Sequence, residues 1–320
     1  MFTSLIRRSC WVALGLMPLG GSAAPEFTGV EPQVNGDVVL RWTGTPGTTH
    51  QLQASSNLVD WTTLTTTRAA AVNQETDAGA AYLDGRAYRV LDQGETNLLT
   101  GDHLATDAGD VVLHPINHAS LVLQWHDRMV YNDPVGSAAL YSSLPKADLI
   151  LVSHSHGDHF NASTLSTVLA PEGFIVAPAA VYSSLSATLR ARTIPLANGQ
   201  STNLFNLSVE AIPAYNANHP KGVGNGYVLT IGGRRIYFSG DTGDIPEMRS
   251  LPEIDVAYVC MNVPFTMTVA QASSAVRAFR PAVVYPYHFR NQDNTRANTN
   301  LFKTQIGTDL GVEVRLRTWY

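Results

Sequence analysis

Three histidines and an aspartate crowd into six residues of Ser153-His154-Ser155-His156-Gly157-Asp158-His159. Imidazole nitrogens and carboxylate oxygens are the donors that zinc accepts when thiolates are absent. Thiolates are scarce, because Cys10 and Cys260 are too few for a four-thiolate site or a disulfide framework. A tight turn at Gly157 can aim alternate side chains at two ion positions rather than one. Gathering so many ionisable groups for packing alone would be costly in desolvation. The chemistry this pattern suits is metal-assisted hydrolysis, in which bound ions acidify a water and polarise the bond under attack.

The elements that must position such a cluster can be read around it. Residues 147–152 form an apolar run with almost no polar interruption, the signature of a buried strand. A helix is expected over 161–169, with Asn161 or Ser163 as its cap. Further strands are expected at 111–113, 120–123 and 129–131, and downstream at 235–238, 256–260 and 283–287. Cys260 sits in one of these runs and reads as a small buried hydrophobe, not a nucleophile. From about residue 25 to 92 the pattern differs. Threonine-rich strand segments at 38–42, 49–54, 61–66 and 87–90 lie between the turn signals Asn35-Gly36, Pro46-Gly47 and Asp84-Gly85.

The chain of 320 residues is therefore expected to divide into a leader at 1–23, a β module at 24–92, a linker at 93–107 and a metallohydrolase domain at 108–320. Arg7 and Arg8, the apolar run 10–19 and the small residues Gly21-Ser22-Ala23-Ala24 have the pattern of a secretory signal, with cleavage after Ala23. That predicts export to the periplasm or medium. No stretch approaches the ~20 apolar residues of a membrane span. The net charge of −5, with 44% hydrophobic and 15% charged residues, describes a globular chain with no basic surface for nucleic acid. Oligomeric state is left open.

His154-Ser155-His156-Gly157-Asp158-His159 resembles the HxHxDH signature of the metallo-β-lactamase fold. The rest of that family's pattern is matched in order by His219 in Asn218-His219-Pro220, Asp241 in Ser239-Gly240-Asp241-Thr242, and His288 in Tyr287-His288-Phe289. Asp133 matches the acidic residue that supports the metal loop. The resemblance implies a four-layer αββα sandwich, an α/β fold, preceded here by a small all-β sandwich. It also implies two divalent ions, zinc foremost. His154, His156 and His219 would hold one, Asp158, His159 and His288 the other, and Asp241 would bridge them. Asp158 is the implied proton carrier. Pro115-Ile116-Asn117-His118-Ala119-Ser120, Pro145-Lys146-Ala147-Asp148-Leu149 and His219-Pro220-Lys221-Gly222 are similar to the branch of ascorbate-6-phosphate lactonase-like proteins and the N-acylphosphatidylethanolamine-hydrolysing phospholipase D. Leu40-Arg41-Trp42, Trp61-Thr62 and Tyr88-Arg89-Val90 resemble a fibronectin type III-like module.

The expected activity is an exported binuclear hydrolase, a metal-bound hydroxide attacking an ester, lactone or phosphodiester of a small molecule or lipid. The alternatives are a β-lactamase, or a non-catalytic metal-containing surface protein that binds through its β module. Beyond the ligands, His118 is a candidate for supporting them or touching substrate. Tyr215 and Lys221 flank His219 and are candidates for lining the pocket. Arg290 shares the strand parity of His288 and could meet an anionic group, whereas alternation sends Tyr287 to the opposite face. His50 is expected on the surface of the β module, and His103, His114 and His126 show no partners in the sequence.

Overall fold

The computed structural model describes residues 11–15, 25–44, 49–68, 72–78, 80–82, 85–92, 99, 101–106, 110–126 and 128–317. Most of the expected leader and linker, and the Pro46-Gly47 turn, lie outside the described residues. The chain divides into two compact units, Met1–Thr100 and Gly101–Tyr320.

The first unit is all-β. Its strands are β1 (Trp11–Gly15), β2 (Phe27–Pro32), β3 (Val38–Thr43), β4 (Thr49–Ser55), β5 (Thr62–Arg68), β6 (Val72–Asp77) and β7 (Arg86–Asp92). They form a four-stranded sheet in the order β1-β7-β4-β5 and a three-stranded sheet in the order β2-β3-β6. β1 lies inside the expected leader and runs parallel to β7. Val38, Leu40, Trp42, Leu52, Ala54, Tyr88 and Val90 fill the core between the sheets. His50 corrects its surface expectation, being fully buried. The buried indole N–H of Trp42 needs an acceptor, and His50 Nδ1 supplies it at 2.9 Å across the two sheets. A side chain at Gly44 would collide with that imidazole.

The second unit holds two seven-stranded sheets. One has the order β14-β13-β12-β11-β10-β9-β8, built from β8 (Asp102–Leu104), β9 (Val111–Asn117), β10 (Ser120–Trp125), β11 (Arg128–Asn132), β12 (Ala147–Leu151), β13 (Leu169–Ala177) and β14 (Thr193–Pro195). β8 falls where linker was expected and is instead an edge strand. The other has the order β15-β16-β17-β18-β19-β20-β21, from β15 (Ser201–Leu204), β16 (Leu207–Ala214), β17 (Gly224–Ile231), β18 (Arg234–Phe238), β19 (Val256–Cys260), β20 (Val283–Tyr287) and β21 (Glu313–Val314). Helices are α1 (Ala162–Val168), α2 (Ala179–Ser184), α3 (Ala187–Arg190), α4 (Pro246–Arg249), α5 (Val269–Phe279) and α6 (Thr299–Ile306). No described helix is long and apolar enough to cross a membrane.

One buried core draws on both sheets, with Leu121, Val130, Leu149 and Leu151 from the first and Val209, Tyr227, Leu229 and Phe238 from the second. Each such side chain removed from water contributes roughly 1.5–3 kcal/mol. What positions the site is strand direction. β11, β12 and β13 run parallel, as do β18, β19 and β20. Asp133, the 153–159 turn, Asp241 and His288 each follow the carboxyl end of one of these strands, where open parallel sheets gather their ligands.

Candidate metal centre

β12 is buried except at Asp148 and ends at Leu151, beyond which Val152 N–H still donates to the Val176 carbonyl. The chain then turns, with His159 and Phe160 N–H groups both donating to the His156 carbonyl. Asn161 caps α1 by accepting from Thr164 N–H, so the turn is held between a strand end and a helix start. The second sheet closes over it. Asn225 N–H donates to Ser153 carbonyl at 2.9 Å, and the Tyr227 hydroxyl donates to Val152 carbonyl at 2.8 Å.

The seven residues matched by resemblance come together in two groups of donor atoms. His159 Nε2 lies 2.9 Å from His288 Nε2 and 3.7 Å from Asp158 Oδ2. Asp241 Oδ1 lies 3.2 and 3.4 Å from those two imidazole nitrogens, and Asp158 Oδ2 is 3.5 Å from His288 Nε2. In the other group, His219 Nε2 is 3.2 Å from His156 Nδ1. Asp241 Oδ2 stands 3.5 Å from His219 Nε2 and 3.8 Å from His154 Nε2. Two ligands at 2.0–2.1 Å from one tetrahedral ion sit about 3.3–3.4 Å apart. The separations in the two groups, from 2.9 to 3.8 Å, bracket that edge length, and Asp241 offers one oxygen to each.

The donor set fits a metal on a second count. His154 Nε2 and Asp241 Oδ1 are buried and make no hydrogen bond. Orphaned atoms of this kind cost about 1–3 kcal/mol each unless a ligand takes them up. Burial also pushes His154 down to about 2, which leaves its imidazole neutral with a lone pair to give. Burial opposes a charge on His159 too, yet Asp241 and Asp133 together hold it well above the ordinary imidazole value. Burial would raise Asp158 and Asp241, but the surrounding imidazoles outweigh it and keep both carboxyls ionised.

The supports are as specific as the donors. Asp133 is fully buried; its Oδ1 accepts from Ser153 N–H and its Oδ2 from Ser153 Oγ–H, both at 2.7 Å. The same Oδ2 accepts from His159 Nδ1 at 2.8 Å, so Nδ1 keeps its proton and Nε2 is the nitrogen turned toward the donor group. Ser153 Oγ, having given its proton to Asp133, faces His154 Nδ1 at 3.0 Å. Asn216 Oδ1 accepts from the backbone N–H and from Nδ1 of His219, and Asn216 Nδ2 donates to the Asp241 carbonyl. The Tyr287 hydroxyl accepts from Gly240 N–H at 2.9 Å, next to Asp241. The sequence reading passed over Ser153 and Asn216. Their signal was adjacency alone, one residue before His154 and three before His219.

The remaining candidates separate. His118 Nε2 reaches Asp158 Oδ2 at 3.4 Å, and its ring packs on His288 with centroids 3.7 Å apart. Tyr215 and Lys221 are instead tied to α4, the hydroxyl to Glu247 at 3.1 Å and the ammonium to the same carboxylate at 2.5 Å. Arg290 lies beyond the end of β20 and pairs through its backbone with Arg296. Parity with His288 does not hold there, because His288 has φ +46 and breaks the alternation. His103, which showed no partner in the sequence, lies 3.2 Å from Asp110. Cys260 is buried as expected.

A cleft beside the donors is lined by His154, His156, His219, Asn218, Pro220 and Val223. Beside the imidazoles, Ala214, Pro220 and Val223 give this cleft apolar carbon and Asn218 and Asn225 give it amide groups.

Comparison with known proteins agrees with the geometry. The profile of the β-lactamase superfamily domain matches residues 125–289. A UPF0173 metal-dependent hydrolase of Thermus thermophilus is 30% identical over 209 residues, 62% of this chain and 92% of that protein. One from Thermoplasma acidophilum is 33% identical over 174 residues, 51% of this chain and 75% of the relative. Among solved structures, a Parabacteroides distasonis protein described as a metal-dependent hydrolase superposes with a TM-score of 0.61 at 35% identity, over 69% of this chain and 99% of its own.

Proposed function

We propose that this chain, which belongs to the metallo-β-lactamase superfamily and is a metal-dependent hydrolase, works as an exported binuclear enzyme on an ester, lactone or phosphodiester of a small molecule or lipid. The observation that carries the two-ion reading is the pair of donor groups that share Asp241, one carboxylate oxygen to each. Zinc is the ion its nitrogen and oxygen donors suit best. His154, His156 and His219 would hold one ion and Asp158, His159 and His288 the other. Such ions, when bound, acidify a water and polarise the oxygen of the scissile group.

The protein's own side chains do the rest. Asp133, Ser153 and Asn216 fix which imidazole nitrogen carries the proton. Asp158 has its side chain half exposed, so its carboxylate connects the donors to solvent and is the acceptor for a proton leaving the site. The apolar cleft at Pro220 and Val223 orients substrate against the His154 side.

Four further readings belong to this proposal. The two sheets sharing one core, with six helices, support the four-layer αββα arrangement. The two-sheet first unit supports a fibronectin type III-like module. The pattern of residues 1–23 supports export. The 115–120, 145–149 and 219–222 segments support the lactonase-like branch.

Metal analysis of His154→Ala and Asp241→Ala tests the site. Loss of one ion in the first and weakening of both in the second are expected; unchanged metal in both sinks it. Chromogenic esters, lactones, phosphodiesters and a β-lactam, each with and without chelator, test the substrate class. Turnover of the β-lactam alone overturns the ester, lactone and phosphodiester reading.

A further inference from the structure

We propose that His118 is a positioning residue that holds Asp158 against the donor group of His159 and His288, and so sets how tightly that group binds its ion. This inference rests on the two-ion reading above.

Asp158 is the weak point of its group. Its side chain is 50% exposed, against 0% for His159, 1% for His288 and 5% for Asp241. Three imidazoles contact its carboxylate. Two of them, His159 and His288, do so through the Nε2 atoms that face the same ion position. Once those lone pairs are committed to an ion, they carry no proton to donate. His118 Nε2, 3.4 Å from Asp158 Oδ2, is then, among the described residues, the contact that remains a hydrogen bond. Without it a half-exposed aspartate turns toward water.

The fold holds His118 for this task. It sits in the turn between β9 and β10, with φ +56, a conformation that only a tightly determined setting keeps in a residue with a side chain. Its carbonyl accepts from His288 N–H at 3.3 Å, and its ring lies on the His288 ring. Just past His118 the turn is pinned to the end of β11 and the residue after it. Asn132 Nδ2 donates to the Ala119 carbonyl at 3.0 Å, and Ser120 Oγ donates to the Asp133 carbonyl at 2.6 Å. His118 thus reads the positions of His288 and Asp133 and passes them to Asp158.

The test is zinc titration of the metal-free full chain against a chromogenic chelator, for wild type, His118→Ala, His118→Gln, Asp158→Ala and His118→Ala with Asp158→Ala. Wild type should take two ions. His118→Ala should keep the first and weaken the second about 10- to 100-fold, and His118→Gln, which keeps a donor near Nε2, should recover most of the loss. In the Asp158→Ala background, removing His118 should add nothing. Unchanged binding by His118→Ala, or additive losses in the double variant, would overturn the proposal. Binding by His118→Gln as poor as by His118→Ala would overturn it as well. Thermal melts of the metal-free variants report folding separately. A wild type that takes one ion defeats the two-ion reading, and this inference with it; a two-ion wild type with an unaltered His118→Ala defeats this inference alone.

Discussion

Asp133 Oδ2 and His159 Nδ1 meet at 2.8 Å, with neither side chain exposed to solvent. This contact decides what His159 can do. A carboxylate accepts only, so Nδ1 keeps its proton, and the proton on Nε2, facing His288 and Asp241, is the one an ion would displace. Asp133→Asn reverses the logic, because the amide can turn its N–H toward Nδ1 and force the proton onto Nε2. Ion affinity should fall about 10- to 100-fold, by chelator competition. A variant that binds as wild type removes Asp133 from the site's support.

Ser153→Ala should do less. Ser153 Oγ faces His154 Nδ1, but Asp133 also accepts from the Ser153 backbone N–H, and alanine keeps that bond. A loss of about tenfold in affinity for the ion on the His154 side is expected, with the other ion less affected. The measurement is two-site titration; a larger loss than Asp133→Asn causes would show that the hydroxyl, not the carboxylate, organises the loop.

Tyr287→Phe tests the turn that carries Asp241. The variant leaves Gly240 N–H buried with no acceptor, at a cost of about 1–3 kcal/mol. Denaturant unfolding of the metal-free protein should show this, since it is independent of metal. Equal midpoints would mean that the turn finds another acceptor.

Part of this was legible beforehand. β11, β12, β19 and β20 are parallel strands buried on both faces, and such strands leave apolar runs that cannot be mistaken for surface. β6 is mostly polar, β2 is broken up by Gly29 and Pro32, half of the positions in each are exposed, and no apolar run marks either. The HxHxDH cluster announced a metal by local spacing. His219, Asp241 and His288 are distant in sequence, and only likeness to a family connected them to it. Ser153 and Asn216 were passed over because serine and asparagine in a loop suit many roles, and nothing local says which imidazole they face. His50 was misread because its partner, Trp42, belongs to the other sheet. The expectation for Arg290 leaned on alternation, and alternation ends where His288 takes a left-handed backbone.

Cys260 gives a prediction in pH. Burial pushes its thiol from an ordinary value of 9.0 up to about 11. The folded state therefore holds the proton more tightly than the unfolded one. Its contribution to stability is fully present below pH 9 and is lost as pH rises toward about 11, by at most ~1.4 kcal/mol per pH unit. Buried tyrosines lose stability at higher pH too, so the comparison must be with Cys260→Ala, whose curve should be shallower over that window. Parallel curves would sink the assignment. The same burial means that a thiol reagent at pH 8 should leave Cys260 untouched in the folded protein and modify it in denaturant. Cys10 adds a second thiol in denaturant only if the leader is kept. One thiol per chain, against two in the uncleaved chain, would thus report removal of the segment that carries Cys10.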